Sequence, residues 1–333
     1  MPTQTVISGG AVLPPVPQGP TSTLNPRNLA MTMTTVVVWA VTFPLLKIAL
    51  DDGVPPLTLG ALRFGLSVPM FLLVLAFMGG GLGKLRRLTA RQWAIIAAWA
   101  MLSTTVSNIT QNIGMQWTSA SVSSILQSSG PILGMFLAIM FLGERYTHLK
   151  LAGGVVATVG TVGIVVAVGA DMSGTTVAGN ALILASEISY VLAGIVGKYV
   201  LREVDPYTLM AAGFPIATVP LVAGAAFESP VHALAAMSAT SWSIVAFLAV
   251  APTTIAMLLW YIVLDRVEVG RLIYFVYLIP VVAIVASWAM LGETLAPVQV
   301  LFAAMVISGV MTAQRETKGP EKEPPDGKES ERR

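Results

Sequence analysis

Long apolar stretches alternate with short polar connectors along most of the chain. The pattern predicts ten hydrophobic segments, at 29–50, 57–78, 92–114, 120–142, 149–169, 178–200, 207–227, 242–264, 270–291 and 297–314. About 20 apolar residues in a helix span the ~30 Å hydrocarbon core of a bilayer. Because the connectors are short, neighbouring segments are expected to run antiparallel. The sequence therefore predicts an all-α polytopic membrane protein with ten transmembrane helices.

Composition supports this class and excludes several others. Of the 333 residues, 55% are hydrophobic and 11% are charged, whereas a soluble domain carries about 25% charge. The sequence lacks the ten-residue alternation typical of outer-membrane barrels. It contains no cysteine, which excludes disulfides, thiolate metal sites and thiol catalysis. The net charge of +2 comes from flanking Lys and Arg and gives no indication of nucleic-acid binding.

The two ends differ from the apolar region between them. Residues 1–28 are rich in Pro, Thr, Ser and Gly, and they lack the basic and apolar regions of a signal peptide. Residues 315–333 are charged and contain three prolines. Both stretches are too polar to form a packed core, so we expect a disordered N-terminal tail and a disordered, charged C-terminal tail.

The two halves of the apolar region contain matching motifs. One match surrounds a proline and a downstream Gly-Glu pair, and the other surrounds an aromatic residue and a downstream lysine. The matched pairs are Pro131 with Pro280, Gly143-Glu144 with Gly292-Glu293, Trp39 with Tyr190 and Lys47 with Lys198, at offsets of 149 or 151 residues.

These matches divide the chain into two units of five segments, at 29–169 and 178–314. Because each unit has an odd number of crossings, the second must enter the membrane from the opposite side. We therefore expect two inverted five-helix repeats. Such repeats are typical of secondary transporters, which bind substrate near the midplane between the two halves. In this arrangement Pro131 and Pro280 would interrupt corresponding helices and act as hinges.

The distribution of Lys and Arg predicts the orientation. Basic residues cluster at the termini and in the connectors that follow even-numbered segments, whereas the connectors after odd-numbered segments contain none. Since cytoplasmic loops carry the excess of Lys and Arg, both termini are predicted to be cytoplasmic. The connectors after odd-numbered segments contain carboxylates instead, namely Asp51, Asp52, Asp171, Glu228 and Glu293.

Glu187 is the only carboxylate deep within a segment. It lies about nine residues into the sixth segment, near the midplane at ~1.5 Å per residue. A carboxyl at that depth could bind and release protons during transport. It could equally be a structural group that is hydrogen-bonded to a neighbouring helix. The sequence leaves both interpretations open.

Three cations lie within the segments or at their ends. Lys47 and Arg63 are near the predicted outer ends, where they could reach the interface or pair with Asp51 or Asp52. Lys198 lies at the inner end of the sixth segment.

Polar and aromatic side chains within the segments form the predicted substrate cavity. Glu187, Tyr190, Gly194 and Lys198 share one helix face, and so do Trp39, Phe43 and Lys47; both faces are expected to point at the axis between the halves. The amides and hydroxyls could line a cavity or join helices, and the aromatics could line it, pack in the bundle or anchor at the interface. The predicted cavity residues are Trp39, Phe43, Asn108, Gln111, Asn112, Gln127, Ser128, Tyr190, Trp260, Tyr274 and Tyr277.

Motifs for catalysis or ATP hydrolysis are missing from the sequence. It contains no HExxH, no intramembrane pair of aspartates and no ATP-binding motif, and both histidines lie in predicted connectors. We therefore predict a protein that is not an enzyme and that uses no metal or other cofactor.

The motifs of both repeats resemble those of the EamA-domain transporters of the drug/metabolite transporter superfamily. They are Trp39-Ala-Val-Thr-Phe-Pro-Leu-Leu-Lys47, Leu62-Arg63-Phe64 and Gly130-Pro131 through Gly143-Glu144-Arg145, with the last echoed at Pro280 and Gly292-Glu293. The resemblance covers residues 29–314. Within the family, the chain is broadly similar to bacterial amino-acid and metabolite exporters of the YddG type. It implies a ten-helix transporter in the inner membrane, with helices one, three, four, six, eight and nine around a central cavity.

The sequence and the resemblance together predict a secondary transporter that exports small metabolites by alternating access. Amino acids are the expected substrates, with aromatic or hydrophobic ones suited to the cavity by stacking and cation–π contacts. Its partners would be the substrate, the lipid bilayer and protons. The alternatives are an uncoupled facilitator or a drug or organic-cation exporter of the same fold, and a membrane scaffold without transport.

Overall fold

The computed structural model of the chain describes residues 25–117, 126, 129–143, 147–167, 176–229, 234–235, 237–282, 285 and 297–314. Within these ranges the side chains of Phe43, Pro44, Lys47, Asp51, Val165 and Ala167 are not described. The described ranges consist of helices and short turns and contain no strand, which confirms the prediction of an all-α protein.

The helices follow one another in chain order, some of them with π or 3₁₀ segments between or after them. They are α1 Pro26–Ala40, α2 Thr42–Asp51, α3 Pro56–Phe77, α4 Gly83–Arg86, α5 Ala90–Ala100, a π segment Met101–Val106, α6 Ser107–Gly114, α7 Gly130–Leu137, a π segment Ala138–Leu142, α8 His148–Ala167, α9 Val177–Val200, α10 Pro206–Ala225, a 3₁₀ turn Ala226–Glu228, α11 Ala239–Leu248, a π segment Ala249–Ala256, α12 Met257–Arg266, α13 Val269–Leu272, a 3₁₀ segment Ile273–Tyr277 and α14 Pro297–Gln314.

Six continuous helical stretches in the described ranges are long and apolar enough to cross a membrane. They are Pro56–Phe77, Ala90–Gly114, Val177–Val200, Pro206–Glu228, Ala239–Arg266 and Pro297–Gln314. Shorter apolar helical stretches occur at Gly130–Leu142, His148–Ile164 and Val269–Val282.

The first predicted segment, 29–50, differs from its prediction in two ways. The helix begins earlier, at Pro26, because Asn25 caps it by accepting a hydrogen bond from the backbone N–H of Asn28 at 2.8 Å. It is also broken at Val41, between α1 and α2. The cause is Pro44, which has no N–H to donate to the carbonyl four residues earlier.

The two most extensive helix–helix contacts join α8 to α14 and α3 to α10. Glycines allow the first pair to approach closely: a Cβ added at Gly153 would lie 2.5 Å from the carbonyl oxygen of Gly309. A Cβ added at Gly309 would meet backbone atoms of α8 at 2.6 Å. Small residues at such crossings are the usual route to tight packing in membranes.

Carboxylates at the helix ends connect the two halves of the chain. Glu228 follows α10 and accepts hydrogen bonds from the backbone N–H groups of Leu57 and Thr58 at 3.1 and 2.7 Å, which caps the start of α3. Asp205, at the start of α10, accepts a hydrogen bond from Lys84 at 2.8 Å. The first contact holds the start of α3, which carries Arg63, against the end of α10. The second joins α4, which follows α3, to the start of α10.

Candidate substrate-binding site

Three aromatic side chains from α1, α9 and α12 meet inside the bundle. The ring centroids of Trp39 and Tyr190 are 6.3 Å apart in an edge-to-face arrangement. Those of Trp39 and Trp260 are 5.1 Å apart. Trp39 and Tyr190 are partly buried, and Trp260 is buried. The two positions matched by the sequence repeat, 39 and 190, are therefore in direct contact. We call these three residues the aromatic cluster.

The π segment between α11 and α12 contacts the aromatic cluster. The indole Nε1 of Trp39 donates a hydrogen bond to the carbonyl oxygen of Pro252 at 3.3 Å. The next residue, Thr253, accepts a hydrogen bond from Nε of Arg63 at 2.7 Å. Arg63 is partly buried and its guanidinium carbon lies 5.0 Å from the ring centroid of Phe64. Neighbouring residues of one segment thus place the Arg63 cation beside the cluster.

Glu187 lies one helical turn before Tyr190 on α9 and faces the start of α7. A Cβ added at Gly130, the first residue of α7, would lie 1.8 Å from Oε1 of Glu187. The carboxyl group therefore occupies the space that a side chain at this position would need. It is partly buried, and it forms no hydrogen bond or ion pair with any other part of the described chain. The positive end of a helix favours a carboxylate in this position.

Open space adjoins the same face of α9. A Cβ added at Gly194 would have no described atom within 4 Å. Gly194 is four residues after Tyr190 and seven after Glu187, so the three positions share a face. An aromatic ring and a carboxylate beside open space resemble the lining of ligand sites, which is mostly apolar or aromatic with a few polar groups.

Two other predicted cavity residues, Asn108 and Asn112, have structural partners. The amide of Asn108 donates to the Thr104 carbonyl of its own helix at 2.8 Å. The amide of Asn112 donates to the Pro56 carbonyl at 3.1 Å and so joins α6 to α3. Gln111 is partly buried on α6.

The two tyrosines of the ninth predicted segment belong to a different cluster, formed with α8 and α14. The Tyr274 hydroxyl donates to the Lys150 carbonyl at 2.7 Å. The Tyr277 hydroxyl shares a hydrogen bond with Thr158 at 2.6 Å. Both side chains are 2% exposed, so the structure uses them for packing and does not bring them to the aromatic cluster.

The remaining predicted residues are placed as follows. The Lys198 ammonium donates to the carbonyls of Leu264 and Val267 at 2.5 and 3.0 Å, which stabilises the C-terminal end of α12. Asp52, a predicted partner for Lys47 or Arg63, instead accepts hydrogen bonds from Ser238 and Ser241. Gln127 and Ser128 lie outside the described residues, as do the side chains of Phe43 and Lys47.

The two predicted hinge prolines lie next to irregular backbone. Pro131 is in the first turn of α7, where its missing N–H costs no helical hydrogen bond. Pro280 follows the 3₁₀ segment Ile273–Tyr277, and the chain is α-helical again at 278–282.

Three contact residues of this site were not predicted from the sequence: Gly130 as the contact of Glu187, and Pro252 and Thr253. Pro252 and Thr253 carry a recognisable signal, since a Pro-Thr-Thr sequence inside an apolar segment marks a helix irregularity. Which side chains meet that irregularity depends on how the helices pack.

Comparison with protein families identifies one family. The sequence model of the "EamA-like transporter family" matches residues 27–166 and again 177–313. A protein of Streptantibioticus cattleyicolor named "Probable terminal-alkyne amino-acid exporter" is 30% identical, over 87% of this chain and 94% of its own length. An Escherichia coli protein named "Probable amino-acid metabolite efflux pump" is 25% identical, over 86% of this chain and 94% of its own. A crystal structure with 20% identity superposes with a TM-score of 0.67, over 86% of this chain and 96% of that one, and shares the fold.

Proposed function

The chain belongs to the EamA-like transporter family, and on that premise we propose that it is a secondary transporter that exports small metabolites, amino acids among them. It is a multi-pass membrane protein, and the relatives it matches are transporters, not enzymes. The observation that carries the proposal is the contact between Trp39 and Tyr190, with Arg63 and Glu187 close by. Such a site suits a small amphipathic or zwitterionic solute.

Two inverted five-helix repeats, 29–169 and 178–314, are the architecture we propose. The two successive matches to one family model support the duplication. So do the π segments Met101–Val106 and Ala249–Ala256, which lie about 150 residues apart in corresponding segments. The most extensive contacts join α8 to α14 and α3 to α10. Each of these pairs consists of corresponding helices, which is the arrangement expected about a pseudo-twofold axis.

The proposed location is the inner membrane of a bacterium, with both termini in the cytoplasm. The basis is the distribution of Lys and Arg among the connectors. Amino acids are the proposed substrate class because two relatives, at 30% and 25% identity, carry names that include amino-acid export or efflux.

Transport would proceed by alternating access, with the two halves rocking about the irregular backbone near Pro131 and Pro280. Glu187 is the proposed proton-coupling group, because it shares a face of α9 with the open space at Gly194 and forms no hydrogen bond or ion pair with the described residues. An uncoupled facilitator of the same fold is the second candidate. A pH gradient and the Glu187→Gln variant separate the two, since a facilitator would respond to neither.

The test is transport by the purified protein in proteoliposomes. Labelled aromatic, hydrophobic and small polar amino acids and one organic cation are assayed with and without a pH gradient. We expect saturable movement of amino acids, and we expect Trp39→Ala and Tyr190→Ala to reduce it. Trp242→Ala is the matched control, because that tryptophan is 42% exposed on α11 and should be dispensable.

Movement of the organic cation alone would identify a drug exporter, and movement of no solute would contradict the proposal. Retained transport after the two halves are rigidly crosslinked would contradict alternating access.

A further inference from the structure

We infer that Arg63 binds the carboxylate of the transported solute, so that the site selects carboxylic acids over otherwise identical amides and amines. This inference deepens the proposed function and rests on it for the identity of the site. It departs from the simplest expectation for a cation near a helix end, which is to reach the interface or pair with an acidic neighbour.

The described part of the chain uses little of the hydrogen-bonding capacity of Arg63. A guanidinium has five N–H donors in a rigid fork. Thr253 accepts one of them, from Nε. Within the described ranges no carboxylate lies within ion-pair distance of Arg63, and no other acceptor takes its terminal N–H groups. The edge of the guanidinium that binds carboxylates in a bidentate manner is therefore left for another partner.

The position of Arg63 is unfavourable for a cation without an anionic partner. It is the eighth residue of α3, about 10 Å along the axis from the start of that helix at 1.5 Å per residue. Cations at membrane depth are costly, and they mark solute pathways more often than lipid contacts. The hydrogen bond to Thr253 holds the Arg63 side chain beside the aromatic cluster. Arg63 therefore does more than extend its charge to the membrane interface.

The surroundings of Arg63 supply the rest of a recognition site. Trp39 and Arg63 contact consecutive residues, Pro252 and Thr253, so the cation and the aromatic surface are adjacent. Tyr190 contacts Trp39 in turn, with ring centroids 6.3 Å apart. A carboxylate on Arg63 would thus place the remainder of a small solute against aromatic rings. An arginine fork is suited to this carboxylate contact in a way that a lysine is not.

The experiment pairs acids with their neutral analogues. Leucine, phenylalanine and threonine are compared with their amides and decarboxylated amines, both in proteoliposome transport and in equilibrium binding to the detergent-purified protein. For the wild type we expect the acids to bind about ten- to hundredfold more tightly, which is the contribution of hydrogen bonds between charged groups. We expect Arg63→Gln to remove this preference while leaving the affinity for the amides unchanged.

Three variants make the result specific. Arg63→Lys should retain part of the preference, because it keeps the charge but not the fork. Thr253→Val should weaken acid binding severalfold without affecting amides, since it removes the hydroxyl that orients Arg63. This variant also serves if Arg63→Gln does not fold. Arg91→Gln, at a cation whose side chain is 75% exposed, should change nothing.

The outcomes separate this inference from the proposed function. Equal binding of acids and amides by the wild type, or an equal loss of both in Arg63→Gln, would overturn the role of Arg63 while leaving transport intact. Acid-selective binding without transport would support Arg63 and contradict the transporter proposal. Failure of every acid in the panel to bind would overturn the inference as well.

Discussion

Substitution of Gly130 by alanine should disturb Glu187 without disturbing the fold. An alanine Cβ at this position would lie 1.8 Å from Oε1 of Glu187, whereas side-chain Cβ contacts below 3.0 Å are essentially never found. The carboxyl group must therefore move by at least about 1.2 Å, the difference between these two distances. Because that group is the end of a flexible side chain, the shift should cost only about 0.5–1.5 kcal/mol in rotamer energy.

The consequence should appear in proton coupling, not in stability. If one proton moves per solute, a pH gradient of one unit can support about tenfold accumulation. We expect the wild type to accumulate labelled solute under the gradient and Gly130→Ala to lose much of this stimulation, as Glu187→Gln would. Because both changes act on one group, the double variant should be no worse than Glu187→Gln alone.

The assay is counterflow and gradient-driven uptake in proteoliposomes, with counterflow reporting transport that needs no proton gradient. Gly194→Ala, at a site where an added Cβ meets open space, is the matched control and should keep full stimulation. Full stimulation in Gly130→Ala together with its loss in Glu187→Gln would refute the importance of the carboxyl position. Unchanged stimulation in both variants would favour the uncoupled facilitator.

Three further predictions follow from the same contacts. Gly153→Ala should lower the melting temperature in detergent, because its Cβ would lie 2.5 Å from the Gly309 carbonyl oxygen and such overpacking costs about 1–3 kcal/mol. Gly194→Ala should leave the melting temperature unchanged, and equal melting temperatures of the two variants would contradict the tight crossing of α8 and α14. Gly194→Phe should block transport, because the ring would fill the space beside Tyr190. The variant should still bind an antibody against the folded protein, and unimpaired transport would place that space outside the pathway. Burial raises the pKa of Asp205, but hydrogen bonds from Lys84 and from a threonine outweigh it and hold the pKa below its usual range. The stabilisation from Asp205 is therefore present above about pH 4 and lost below it, so Lys84→Gln should reduce the loss of melting temperature between about pH 6 and about pH 3.

Features that depend on local chemistry or on the repeat could be predicted from the sequence. The apolar segments indicated the helices, because a segment that crosses the bilayer must satisfy its backbone hydrogen bonds internally, as a helix does. The match of Trp39 with Tyr190 predicted that both positions face the centre, and their rings are in contact. The break at Val41 could also be predicted from the sequence, because Pro44 lacks the N–H that would donate to the carbonyl of the preceding turn.

Features that depend on the packing of distant helices could not be predicted. Tyr274 and Tyr277 have the composition of a cavity lining, yet their hydroxyls bond to α8 and their rings are buried. For Arg63, the sequence gives only its charge and its position within the second segment. Its partner, Thr253, is 190 residues away. The Pro-Thr-Thr sequence marks an irregular helix there, but it does not specify which side chains contact that irregularity. Side-chain direction across such an irregularity follows from the packing of the helices, not from periodicity.

The π segment Ala249–Ala256 connects these observations. A π turn shifts the register of a helix, which re-aims the side chains and carbonyls around it, and such turns recur at functional sites. Here one segment accepts hydrogen bonds from both Trp39 and Arg63, which lie on α1 and α3. Any rearrangement of α11 and α12 relative to the first half must therefore move or break both contacts together. The aromatic surface and the cation would then change position as one unit, so the affinity of the site for solute would be coupled to the conformational change that transport requires.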